Sequence, residues 1–278
     1  MAVTVPRAVL EQYYRFSLYN SPFAAHDRGC AIDLYPEGAR APSPVAGEVV
    51  DTKTVRAPPK AYAAEHDYLI LVDTGDHVAR LLHVKPGVEP GDRVAVGDDL
   101  GGLVRAGFFA PWVPNHVHLG FRSHDANPYR AGGSLPVEAG VDVEPLAWDG
   151  TGIVVEAGET WARLDSPAHP APGERFVGLA GGNGGAGVLD GGLSHYDWGG
   201  LLGGDGGGTA RLAGQRVGVA EGRTVAWDDL DVLANGEPVT GVALFCSRDD
   251  AGVKLVGEGV DLAVGEQVTV SVERRAPS

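Results

Sequence analysis

After the first twenty residues, no stretch of this chain sustains apolar residues at the helical spacing of 3.6. With 42 Gly and 19 Pro among 278 residues, long helices are disfavoured and many tight turns are required. The chain is therefore expected to be mainly β, built of short strands. Residues 6 to 16 are the exception: Pro6 opens a predicted short helix with Val9, Leu10, Tyr13 and Phe16 on one side.

The length suits two domains, each with its own core. Composition changes after Leu146, which predicts domains at 1–146 and 147–278. In the second, fifteen of the residues from 178 to 208 are glycine, read as a long flexible surface loop around Ser194-His195-Tyr196-Asp197-Trp198. No Gly-Lys-Ser/Thr follows, so a phosphate cradle is excluded. Short strands around Val217, Val242, Leu255 and Val270, with turns such as Asn235-Gly236, predict a small β-sandwich or barrel. Its expected role is substrate recognition, a lid or association.

A net charge of -15 argues against nucleic acid or an anionic membrane as a partner. Lysine occurs only at positions 53, 60, 85 and 254, and such an acidic, lysine-poor chain resembles proteins of salt-loving organisms, where salt screens self-repulsion. Cys30 and Cys246 form no disulfide framework. Without an export signal or eighteen consecutive apolar residues, the chain is expected to be soluble and cytoplasmic; its oligomeric state is left open.

The chemistry concentrates in Asn115-His116-Val117-His118-Leu119-Gly120-Phe121, which reads as a strand. Residues two apart point the same way, so His116 and His118 share a side. Two neighbouring imidazoles suit a metal, or a ligand beside a catalytic base; the bland alternative is a solvated strand face. Upstream, residues 25–34 end as an alternating strand in which Asp33 shares a face with Ala31 and Tyr35, so that His26 and a carboxylate can converge. A buried-turn Asp is the competing reading. Strands at 68–72 and 78–84 flank the turn Asp73–His77, and His83 ends the second; His66 and His77 read as surface residues.

In order along residues 21–130 stand a Ser-x-Phe strand (Ser21, Phe23), a His before Gly-x-x-x-Asp, a Pro-x-x-Gly-x-Val hairpin from Pro44, and a strand ending in His83. A Gly-Asp-x-Val-x-x-Gly turn and His-x-His-Leu-x-Phe follow. This series resembles the M23 (lysostaphin-like) zinc metallopeptidases. The resemblance implies a barrel-sandwich hybrid fold, zinc bound by His26, Asp33 and His118, and His83 and His116 flanking the fourth coordination position. It implies hydrolysis of amide bonds, with a peptide or cell-envelope peptide as substrate. One spacing departs from the pattern: Gly29 stands where the family places its first ligand, four residues before the Asp, so either a three-residue bulge lets His26 reach the metal or the first ligand is lost; Cys30 could substitute as a thiolate, though it reads better as a small buried residue. Two other functions remain in view. One is a catalytically inactive relative kept for binding; the other is a lipoyl or biotinyl carrier, suggested by Lys53 in Asp51-Thr52-Lys53-Thr54, which resembles a carrier's hairpin tip only superficially.

Overall fold

A computed structural model describes residues 1–204 and 206–275. The chain divides into two units: Met1–Leu18 with Phe23–Val141, and Tyr19–Pro22 with the residues from Asp142 onward. Both are built almost wholly of strands, so the protein is mainly β. Among the described residues no helix is long and apolar enough to cross a membrane.

The first unit is organised by seven antiparallel strands. Their spatial order is Arg15–Ser17, Ala31–Tyr35, Val117–Arg122, Val78–Leu82, His66–Asp73, Gly47–Arg56 and Arg93–Val94. Side chains alternate across a strand, so register sorts them into two faces. One row runs Ile32, Leu119, Leu81, Ile70, with Leu34 and Val117 paired beside it. These residues are fully buried and form the apolar face. At about 1.5–3 kcal/mol per buried aliphatic side chain, this face holds the sheet in register. The opposite face carries the row Asp33, His118, Leu82, Leu69, Lys53, and next to it Ala31, Gly120, Arg80, Leu71, Asp51. A one-residue slip would exchange the two faces, so the apolar residues fix where the polar ones converge.

Several local expectations need correction. The first helix spans only Arg7–Leu10, with Pro6 as its N-cap; Tyr13 and Phe16 are buried beyond it, Phe16 already on a strand. The Ser21–Phe23 segment is not a strand but leads into 3-10 turns over Ala24–Gly29. Lys53 is not at a hairpin tip. It lies inside the Gly47–Arg56 strand opposite Leu69, its ammonium 3.8 Å from the Tyr129 ring centroid, which removes the geometric basis of a swinging carrier arm. The Pro-x-x-Gly-x-Val segment does behave as its glycine suggests. A Cβ at Gly47 would collide with the Asp73 carbonyl, and the strand bulges between Val49 and Asp51.

The second unit holds a twelve-stranded sheet over a core that includes Leu164, Leu189, Leu193, Val217, Val225, Val242, Leu255 and Val268. The glycine-rich stretch expected to be a loop instead supplies three of its strands, Val188–Leu193, Trp198–Leu202 and Gly207–Leu212. Its glycines make room for aromatic rings: a Cβ at Gly199 would collide with Trp227, and one at Gly200 with Tyr19. The packing of large rings onto bare backbone compensates the entropy that glycine loses on ordering. Asn235 (φ 52°) and Gly236 (φ 86°) form the tight turn predicted for them, joining Leu230–Ala234 to Glu237–Val239.

A candidate metal centre on the polar face

Asp33 and His118 are direct cross-strand partners, which puts their side chains on the polar face beside each other. His118 Nδ1 lies 3.0 Å from Asp33 Oδ1. His26 reaches the same point from the 3-10 turns. Arg28 (φ 54°) and Gly29 (φ 69°) are both left-handed, and this double reversal takes up the three extra residues between His26 and Asp33. His26 Nε2 then lies 3.0 Å from His118 Nδ1 and 3.2 Å from Asp33 Oδ1. Cys30 is not part of this triangle.

The three atoms are thus 3.0–3.2 Å apart. A tetrahedral ion with ligands at about 2.0–2.1 Å needs edges of about 3.3 Å, so the triangle fits one face of a zinc site. The donor chemistry fits as well. His26 Nδ1 donates to the Leu18 carbonyl at 2.8 Å, which leaves the lone pair on Nε2 aimed at the triangle. The Asp33 carboxylate adds acceptors only. Burial pushes its pKa up, but electrostatic interaction with His26 and His116 and its contacts with the His118 and His26 ring nitrogens outweigh it and hold the group well below the usual carboxylate range. His118 is driven down to about 3 by burial, only partly countered by its hydrogen bond to Asp33. At neutral pH the triangle therefore presents the anionic Asp33 oxygen beside the neutral His118 ring, with the Nε2 of His26 turned toward both, a donor set of the kind a metal takes.

Two more histidines border the triangle. His116 Nδ1 donates to the Pro114 carbonyl at 2.8 Å, leaving Nε2 as an acceptor 3.6 Å from Asp33 Oδ2. Burial lowers its pKa to about 4, against the opposing pull of Asp33. His83 follows the Val78–Leu82 strand in a left-handed conformation (φ 68°) that only a few per cent of non-glycine residues adopt. Its ring centroid is 5.0 Å from that of His116 and 5.9 Å from that of His118. His83 Nδ1 is held at 2.6 Å by Asp67 Oδ2, and the Asp67 side chain is fully buried. Asp67 has no counterpart among the sequence-predicted residues. The signal available was a carboxylate between exposed His66 and an apolar strand, a place where an unpaired charge would be costly.

All five predicted residues therefore come together, each at most 6% exposed. An aromatic segment covers them: the Phe109 ring lies 5.1 Å from His83 and 4.7 Å from His116, and Tyr35 lies 5.1 Å from His116. Arg105 pins this segment by donating to the carbonyls of Ala110, Pro111 and Val113, and the Tyr62 hydroxyl donates to Phe109 O at 2.9 Å. His66 is exposed as expected, whereas His77 is half-buried with its ring 6.2 Å from that of Phe121.

Residues 4–139 match the family model described as domain of unknown function (DUF8155) N-terminal domain, and residues 144–273 match the DUF8155 C-terminal domain. The two models together run through nearly the whole chain, which belongs to this two-domain family. No curated protein and no solved structure matches it.

Proposed function

We propose that the first unit is a zinc-dependent hydrolase of peptide amide bonds, of the kind the M23 resemblance implies. The observation that carries this reading is a ligand triangle of His26, Asp33 and His118 bordered by two further buried histidines, each oriented by its own acceptor. His26 Nε2, Asp33 Oδ1 and His118 Nδ1 would hold the metal. Zinc bound there supplies Lewis-acid activation of a water and of a carbonyl oxygen.

The chain's own groups divide the remaining work. His116, neutral with a bare Nε2, accepts a hydrogen bond from the attacking water and takes its proton. His83 Nδ1 donates to the buried Asp67 carboxylate, which fixes the ring beside the position where the oxyanion develops. The aromatic segment excludes bulk water, and it must shift for a chain to enter.

Coverage of the site favours a second reading, a metal-stabilised scaffold without turnover. Metal content and peptide-library hydrolysis separate the two. For the hydrolase, His116→Ala retains one zinc per chain and loses turnover by about 100-fold or more. Wild-type protein that binds zinc yet cleaves no peptide supports the scaffold, and wild-type protein that binds no zinc overturns both.

A further inference from the structure

The polar face carries a second cluster beside the metal centre. One register step beyond Asp33 and His118 lie Ala31 and Gly120, and Arg80 is directly opposite Gly120. Arg122 is its diagonal neighbour, close enough for long side chains to meet. Both guanidinium groups are buried, Arg80 at 3% and Arg122 at 2% exposure. Arg80 Nε donates to Pro128 O at 2.6 Å, while Arg122 Nη2 donates to Arg130 O at 2.7 Å and Gly132 O at 2.8 Å. These carbonyls belong to the segment that crosses over the face. Arg80 Nη1 and Arg122 Nε are buried without a hydrogen-bond partner, and so is Ser134 Oγ, which sits above Gly120.

Among the described residues neither arginine has a carboxylate within ion-pair distance. Elsewhere in this acidic chain Arg40, Arg93, Arg163, Arg175, Arg216 and Arg275 all do. Asp51, the acidic residue in the Arg80 row, is two strands away and accepts from the Tyr129 hydroxyl at 2.8 Å. Two adjacent buried cations without a counter-charge oppose each other and lose hydration. Burial and the Arg122 charge accordingly pull the Arg80 pKa down to about 10.

We infer that Arg80, Arg122 and Ser134 form an anion subsite for a carboxylate group, roofed by residues 128–134. Two guanidinium N–H groups and a hydroxyl match the acceptor set of one carboxylate. Gly132 and Gly133 place bare, exposed backbone over Arg122, where a Cβ at Gly133 would stand 3.1 Å from Nη1. Strand geometry puts the subsite one step, about 7 Å, from the ligand triangle. Carboxylate binding is independent of the hydrolytic reading; the subsite's use for a peptide's terminal or side-chain carboxylate rests on it.

The test uses the full chain and measures thermal melting against sodium acetate, N-acetylglycine and N-acetylglutamate amide, matched in ionic strength with sodium chloride, alongside zinc content. A saturable rise in melting temperature with the carboxylates beyond that with chloride is expected. In Ser134→Ala it should need roughly tenfold more ligand or greater, and in Arg80→Gln it should vanish, with zinc content unchanged in both. Tighter N-acetylglycine identifies a chain terminus, and tighter N-acetylglutamate amide a side chain. If Arg80→Gln does not fold, Ser134→Ala decides. A response no greater than chloride's, or the same dose dependence in wild type and Ser134→Ala, overturns the subsite. Because turnover is not read, loss of the hydrolase reading leaves the result standing.

Discussion

Acid should destabilise the metal-free protein well above the pH at which its carboxylates protonate. The cause is His116, buried and neutral in the fold with its pKa lowered from 6.5 to about 4. The unfolded chain takes up a proton near pH 6.5 that the folded site refuses until about pH 4. Stability rises with pH wherever the unfolded state binds more protons, so this contribution is complete above pH 6.5 and lost between 6.5 and 4. The displacement corresponds to about 3.4 kcal/mol, of which about 2 kcal/mol is gone by pH 5. His118, pushed lower still, acts in the same direction. Asp33 acts lower: held below the ordinary carboxylate range, it keeps its contribution down to about pH 4 and loses it only as pH falls further. Urea unfolding of metal-stripped protein at pH 7, 6, 5 and 4 measures the slope, and ring titration by NMR assigns it. His116→Gln should remove about one proton's share, roughly 1.4 kcal/mol per pH unit. Stability that stays flat from pH 7 to 5, or a His116→Gln slope equal to wild type, would refute the reasoning.

Other perturbations address neighbouring steps. Zinc at 100 times its Kd should stabilise the fold by about 2.7 kcal/mol, roughly 5–11 °C in melting temperature, and His118→Ala should abolish the shift in a thermal scan. Asp67→Asn leaves the triangle intact but removes the charge behind His83. Elemental analysis should find zinc retained while peptide turnover falls by at least about tenfold. Gly199→Ala forces a methyl group against Trp227 and should lower unfolding free energy by about 1–3 kcal/mol, read by denaturant titration, without altering zinc content.

How far the sequence could be read depends on the range of each interaction. Strand alternation is local, so the shared face of Asp33 and Ala31 and the apolar Ile32–Leu34 pair could be assigned from residue order, as could the Asn235-Gly236 turn. The glycine-rich stretch misled because composition alone counts the entropy cost of glycine; the rings of Trp227 and Tyr19, which occupy the space its missing side chains leave, come from elsewhere in the chain. Asp67 escaped notice for a related reason: its partner His83 is sixteen residues away, brought to it by a strand pairing and a left-handed residue.

The sequence by itself determined that the chain is mainly β, because dense glycine and proline deny it long helices, and it determined which residue types were available for chemistry. Only the tertiary structure decided that His26 joins Asp33 and His118, through two left-handed residues that no periodicity encodes. It alone set Arg80 diagonally from Arg122, with no carboxylate of the described residues within ion-pair distance of either. The physical reason is that register is fixed by burial of the opposite, apolar face: hydrophobic residues distributed over four strands select one pairing, and the polar groups on the other face meet wherever that pairing carries them.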